Sequence, residues 1–433
     1  MAKFQLPKRV VRFAVTPVVL FTLAVFLTII PSTFAKQQKT NSPNGFHIPI
    51  NKPPATTPQK LLEQGEALYQ TGRFTEAVII LQQAVRTYQR ESNNLAKAAA
   101  LTNLSVVYQQ LGSWKEAYAT IDNSLNLLGW DEINQKLNVS NPKSELLEIL
   151  AQTLNIQGEL QLAQGQTDAS IKTSQQAEQI WKKLGDTAGV TRSQINQAQA
   201  LRVAGFYHRS LNILEEVSKQ LQAQPDSVVK VTALRSLGNV LQQLGELESS
   251  QKNLQQSLEI AQRLQLPLEI SLTEFSLGNT TRLLSNIKDA SAHYENAAKI
   301  APNPLTKVQA LINQLSLLVE NERITEAKSL IPTIQSQLPN LPTNQAGIYA
   351  RINFAQTLTT IGNKKDIAEM LASSVQQAKI IGDERAESYA LGSLGEVYEQ
   401  NQQLQEAQDL TQQTLFIAEK INASDIAIAL SGS

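Results

Sequence analysis

Residues 65–84 read Gly65-Glu-Ala-Leu-Tyr-Gln-Thr-Gly72-Arg-Phe-Thr-Glu-Ala77-Val-Ile-Ile-Leu-Gln-Gln-Ala84. Small residues stand 12 and 19 places after the first glycine, and a second glycine stands 7 places after it. Walking along the chain from that glycine, equivalent anchors fall at Gly65, Ser105, Gly158, Ala198, Gly238, Gly278, Leu315, Ala355 and Gly395. Their separations are 40, 53, 40, 40, 40, 37, 40 and 40. Twelve residues after the anchors stand Ala77, Ala117, Ser170, Ser210, Ser250, Ala290, Ala327, Ile367 and Ala407. Nineteen after stand Ala84, Ser124, Ala177, Val217, Ser257, Ala297, Ile334, Ser374 and Thr414. Glycine recurs seven after as Gly72, Gly112, Gly165, Gly205, Gly245 and Gly362. Nine copies at a near-constant period make a repeat array.

Each unit reads as two helices joined by a tight turn. The glycine seven past the anchor supplies a left-handed residue to end the first helix. Small side chains at the anchor and at 12 and 19 let the two backbones approach where they cross. Larger apolar residues fill the flanks, as Leu234, Leu237, Leu241, Leu244, Leu254 and Leu258 do in the fifth unit at helical spacing. A lone helical pair cannot bury its apolar face, so the units must stack into a solenoid. Leu315 and Ile367 depart from the small-residue rule, so the seventh and eighth units are expected to cross less closely.

The segments Leu237-Gly-Asn-Val-Leu-Gln-Gln-Leu-Gly245 and Leu394-Gly-Glu-Val-Tyr398, with these spacings, resemble tetratricopeptide repeats over residues 58–424. The resemblance implies an all-α fold, a right-handed superhelix of about nine helix–turn–helix units of about 40 residues, with no sheet. The usual period is about 34 residues, and peptide-binding members such as kinesin light chain have comparably long units. The chain is also similar to exported cyanobacterial proteins in which such an array continues into a caspase-like CHAT domain. That domain needs a His–Cys pair, and with no cysteine in its 433 residues this chain lacks the domain.

Composition narrows the function further. Zero cysteine removes disulfides and thiolate chemistry together. Three scattered histidines (His47, His208 and His293) offer neither a metal site nor a catalytic triad. A formal net charge of zero gives no bulk attraction to nucleic acid. No phosphate loop, HExxH, EF-hand loop or nucleophile elbow is present. Gly185-Asp186 and Gly382-Asp383 read as connections between units. Tyr69, Tyr108 and Tyr398 recur just after the anchors, as packing residues do. No cofactor, metal or enzymatic activity is therefore expected.

The ends are made of different material. Lys3, Lys8, Arg9 and Arg12 precede an apolar run from Phe13 to Ile30, followed by Thr33 and Ala35 at cleavage-site positions. Residues 1–35 thus read as an export signal, or alternatively as a membrane anchor, the one expected contact with a membrane. The expected location is the periplasm or outside the cell. Residues 36–57 form a proline-rich linker, and 425–433 look like the start of a tenth unit. The 53-residue step holds an insertion over 129–143, with a sequon-like Asn138-Val-Ser140.

In the resembled family the first helix of each pair lines the concave face. Positions 6 and 3 before the anchor, and 1 and 4 after it, then form a stripe. The fourth unit places Arg192, Ile195, Gln199 and Arg202 there; the fifth, Thr232, Arg235, Asn239 and Gln242; the sixth, Leu272, Phe275, Asn279 and Arg282. Asn239 and Asn279 match the asparagine with which peptide-binding relatives hold a ligand's backbone. An amide both donates and accepts, and arginine grips a carboxylate bidentately. Arg192, Gln199, Arg202, Arg235, Asn239, Gln242, Asn279 and Arg282 are thus the candidate peptide-binding residues, for an extended acidic or carboxylate-bearing segment. In the last unit the stripe carries Gly392, Glu396 and Glu399, which turns an anionic ligand toward the middle. The function expected is an exported interaction scaffold. The regulatory array of a truncated or split CHAT protease, and an envelope spacer, remain open beside it.

Overall fold

The structure, a computed structural model, describes residues 57–421 apart from 71, 72, 112, 342 and 344. The leader, nearly all of the linker, the tail after 421, and the turn glycines Gly72 and Gly112 lie outside the described residues. Nine helical pairs follow one another: α1 (Thr57–Gln70) with α2 (Phe74–Arg90), α3 (Asn94–Leu111) with α4 (Trp114–Leu128), and α5 (Ser144–Ala163) with α6 (Thr167–Leu184). Next come α7 (Thr187–Val203) with α8 (Tyr207–Gln222), α9 (Val228–Gln243) with α10 (Leu247–Arg263), and α11 (Pro267–Leu283) with α12 (Ile287–Ile300). The last are α13 (Pro304–Glu320) with α14 (Ile324–Gln337), α15 (Gln345–Leu358) with α16 (Lys364–Ile381), and α17 (Glu384–Gln400) with α18 (Leu404–Lys420). The architecture is an all-α repeat solenoid.

Hydroxyl bonds pin the crossing of several pairs at one or both of two points. Ser105 Oγ donates to Ala117 O at 2.9 Å and Ser210 Oγ to Ala198 O at 2.6 Å, both joining an anchor to the residue 12 later. The second point joins the residue 19 after the anchor to the one 7 before it. Ser124 donates to Ala98 O, Ser257 to Val231 O, Ser271 to Ala297 O and Ser388 to Thr414 O, at 2.7–3.1 Å. Small hydroxyls suit these places because they let the backbones close in and then satisfy a carbonyl that the contact has dried. At Gly238 a Cβ would stand 2.6 Å from Leu254 Cγ and 3.2 Å from the Ser250 carbonyl, so this crossing admits no side chain without a shift.

The turn within a pair needs a left-handed residue, and the glycines supply it where φ is +78° at Gly165, +82° at Gly205 and +81° at Gly245. Gly245 N then reaches Gln242 O and Glu246 N reaches Leu241 O, closing the helix end. Ser285, Glu322 and Gln402 hold the same turn position with φ of 59–62°, which the glycine pattern did not disclose. Gly362 departs from the expected role: its φ is not positive, and its N–H bonds Leu358 O at 2.7 Å. Several first helices are started by side-chain caps. Asp186 accepts from Gly189 N, Ser227 from Lys230 N, Asn303 from Thr306 N and Asp383 from Ala386 N. The Gly-Asp pairs are therefore connections, as expected.

Two features correct the expectation of helices alone. The insertion carries a small antiparallel hairpin, β1 (Trp130–Asp131) paired with β2 (Lys136–Leu137). Trp130 and Leu137 pack against the core of the first units, while Ile133 at its tip is 94% exposed. A 3-10 turn, Leu338–Asn340, also follows α14. The seventh and eighth pairs are the least closely packed of the nine, as their large crossing residues imply.

Candidate concave binding surface

Successive first helices touch one another: α3 meets α5, α7 meets α9, α9 meets α11, and α13 meets α15. Successive second helices make no comparably close contact. First helices therefore form the inner wall, and the array curves toward them. Crowding on the inside explains why α5, α9 and α11 are buried on almost every side, polar positions included. The inner wall is held by a recurrent polar bridge from the residue after one anchor to the residue two before the next. Gln199 Nε2 donates to Ser236 Oγ at 3.2 Å, Gln356 Nε2 to Ser393 Oγ at 2.7 Å, and Asn196 Nδ2 to Glu159 Oε1 at 3.0 Å.

That crowding changes the role of three predicted arginines. Arg235 forms a buried ion pair with Glu269 of α11 at 3.0 Å, both side chains 3–4% exposed. Arg282 pairs with Glu320 and reaches Ser316 Oγ at 3.4 Å. Arg192 is buried with its guanidinium 5.8 Å from the Trp181 ring centre. Burial pushes the Arg192 pKa down, against the opposing charges of Asp186 and Glu159. These three are struts between units. The sequence stripe was right about which wall they sit on, but it held no information about the acids across the gap. Glu269 lies nine residues before its own anchor, outside any stripe drawn in advance.

The remaining five behave differently. Gln199 is engaged in its bridge. Asn279 Oδ1 accepts from Tyr294 Oη at 2.8 Å, and that tyrosine fills the space under Gly278. Asn239 has Leu254 in the equivalent place and makes no side-chain hydrogen bond with a described residue; it is half-buried. Gln242, one turn on, is buried with its Nε2 unpartnered. The Arg202 side chain is half-buried and joins no hydrogen bond or ion pair among the described residues. Burial pushes its pKa down, Tyr207 opposes this, and the Arg235 charge lowers it further. The Arg202 guanidinium remains a cation, since an arginine titrates far above neutral pH. Arg202 and Asn239 hold the positions that Arg282 and Ser316 hold further along, where the side chains meet, so the repeat sets a cation without a counter-ion among the described residues next to Asn239, with Gln242 one turn on. Among the described residues, no group of three His, Cys, Asp or Glu side chains is placed to hold a metal.

With this geometry in hand, similarity to known proteins is informative. A sequence model of the tetratricopeptide repeat matches residues 56–121, 190–263 and 229–303. Tetratricopeptide repeats are supported in those stretches. The matched stretches cover the first unit, most of the second, and the fourth to sixth; the remaining units are helical pairs in the same arrangement. A Rap protein complexed with Competence and Sporulation Factor is 13% identical, with a TM-score of 0.54 over 84% of this chain and 98% of that one. The apo quorum sensor NprR from B. thuringiensis is 12% identical, with a TM-score of 0.49 over 82% and 99%. A kinesin light chain repeat protein from Podosopora anserina is 20% identical, with a TM-score of 0.38 over 48% and 98%. At such identities the Rap likeness speaks to the tetratricopeptide-type fold alone. No curated protein matches the sequence.

Proposed function

We propose that this chain is a non-catalytic interaction scaffold whose inner wall binds an extended segment of a protein or peptide, with an acidic side chain seated at Arg202. The observation that carries this reading is the Arg202 charge, which no acid among the described residues neutralises, on the same wall as Asn239 and the unpartnered Nε2 of Gln242. A half-buried cation gains from a ligand carboxylate, and two amides one turn apart can hold a peptide backbone. The Rap protein of similar fold was solved in complex with Competence and Sporulation Factor, which makes a signalling factor a natural class to test. Export, read from residues 1–35, is part of the proposal, and its expected outcome is that N-terminal sequencing of protein recovered from cells begins at or near Lys36. Regulation of a CHAT protease on a separate chain would use the same wall.

A random peptide library displayed on phage, selected on the array, tests the binding site. Enriched peptides carry Asp or Glu, and their affinity falls at least tenfold on Arg202→Glu and with added salt. Asn239→Ala weakens all of them alike, because a backbone contact does not read side chains. Lys172→Glu, on the exposed side of α6, leaves binding unchanged. Equal capture by wild type and Arg202→Glu overturns the assignment.

A further inference from the structure

Away from the inner wall, the join between the seventh and eighth units leaves a hole of about 320 Å³. It lies between two second helices, α14 and α16, and its floor is the end of α15 with the turn after it. None of the eighth unit's stripe positions (Tyr349, Ile352, Gln356 and Thr359) lines it. Other joins show what is missing here. In the second, fifth and eighth units the residue twenty past the anchor is a buried Leu125, Leu258 or Val375. Leu258 clusters there with Leu277 of the next first helix. The seventh unit has Gln335 at that position, and it is exposed. Ile331, Leu358, Ile361, Ile367 and Met370 are thus left lining a space that no described side chain fills.

The lip of the hole carries opposite charges on its two sides. Lys328 of α14 and Asp366 of α16 both line it and are exposed. Neither side chain joins a hydrogen bond or ion pair among the described residues. Pro332, another lining residue, stands inside α14 and has no N–H to give the Lys328 carbonyl four residues back. That carbonyl therefore lacks its helical donor.

We propose that this hole binds a free apolar α-amino acid of leucine size. The ligand's side chain takes the place of the missing Leu or Val. Its carboxylate meets Lys328, and its ammonium donates to Asp366 and to the Lys328 carbonyl. A plain carboxylate leaves Asp366 unanswered, and a plain amine leaves Lys328 so. The volume sits at the small end of the roughly 300–1,000 Å³ of ligand pockets, which suits one small molecule. The exposed positions beside the hole on α14 and α16, Thr333, Ser336, Lys365 and Glu369, are polar, so a protein partner finds no apolar collar to seat on. A bound amino acid bridges the two helices across the loose join, and by mass action it stabilises the folded array.

Isothermal titration calorimetry on the full chain tests this with L-leucine and two of its fragments, isocaproate without the amine and isopentylamine without the carboxylate. L-leucine binds at least tenfold tighter than either fragment and raises the thermal midpoint as its concentration rises. Lys328→Met and Asp366→Asn each weaken it at least tenfold, with helicity unchanged because both side chains are exposed. Met370→Trp fills the hole and abolishes binding, and Met370→Phe replaces that variant if it unfolds. No heat and no midpoint shift with millimolar L-leucine overturns the site, and leaves the inner-wall reading untouched because none of these residues lies on that wall. A fragment that binds as tightly as L-leucine overturns the zwitterion chemistry. Phage-selected peptides lost on Met370→Trp or Met370→Phe, with no L-leucine bound by wild type, overturn the proposal in favour of a protein partner.

Discussion

The fifth and sixth units and the seventh and eighth solve one packing problem in opposite ways. In the fifth and sixth, Gly238 and Gly278 let α9 and α11 lie close on their partners, which slide Leu254 and Tyr294 into the space a side chain would take. In the seventh, Leu315 fills the crossing itself and is completely buried. The consequence appears one helix later. α14 packs on α13 but hardly on α15, and α13 and α15 close the gap instead. Arg351 reaches back to the carbonyls of Leu338 and Leu341, both at 3.1 Å, tying the 3-10 turn across the breach. A cavity of about 320 Å³ opens there, walled by Ile331, Pro332, Leu358, Ile361, Ile367 and Met370. Small anchors give a regular stack; a large anchor holds its own pair and loosens the join to the next.

The largest effect expected sits on the regular side. Arg235→Ala leaves Glu269 charged and buried without its partner, which costs about 3–5 kcal/mol. Chemical denaturation measures it, and a joint replacement of both residues by apolar ones recovers most of the loss. This also means that Arg235→Glu is a poor probe of ligand binding, contrary to the expectation from the stripe. Leu315→Ala empties a filled crossing and should cost about 2–5 kcal/mol, provided that α14, already loosely held, does not collapse to fill it. A loss well under that range would show that the seventh unit adapts where the fifth cannot. Gly238→Val presses on Leu254 and on the Ser250 carbonyl and should cost about 1–3 kcal/mol.

Titration separates a third region. Glu159 has its folded-state pKa raised to about 8 by burial, above the unfolded value, so the folded state holds the extra proton between the two. Stability therefore falls as pH rises from the ordinary carboxylate range to about 8. Comparing thermal midpoints of wild type and Glu159→Gln across that window isolates the group, and the variant curve should be flatter. The smallest change expected is a gain. Glu322→Gly, at a left-handed turn in the loose seventh unit, should raise stability by about 0.5–1 kcal/mol. The reverse change, Gly245→Glu in the fifth unit, should lose a similar amount.

Spacing alone carried the fold. A helix whose small residues recur at 12 and 19 past an anchor can pair in essentially one way, and serine at those places even forecasts a hydroxyl bond across the crossing. Local chemistry likewise announced Asp186 and Asp383 as connecting residues, because a cap acts on amides three residues away. It did not announce Ser285, Glu322 or Gln402 as left-handed, since no side-chain preference marks them and the pair geometry imposes the turn. Nor did it foresee the hairpin at Trp130, whose strands are two residues long and leave no periodicity to detect.

For the candidate site, the sequence determined which residues line the inner wall, because helical periodicity fixes the face of each first helix. Only the tertiary structure decided which of them are spent within the array. Arg282 and Arg202 hold equivalent places, four residues past their anchors, yet one meets Glu320 across the gap and the other meets no acid among the described residues. A side chain's face is a property of its own helix, whereas its partner belongs to the next unit, and that contact exists only once the units have stacked.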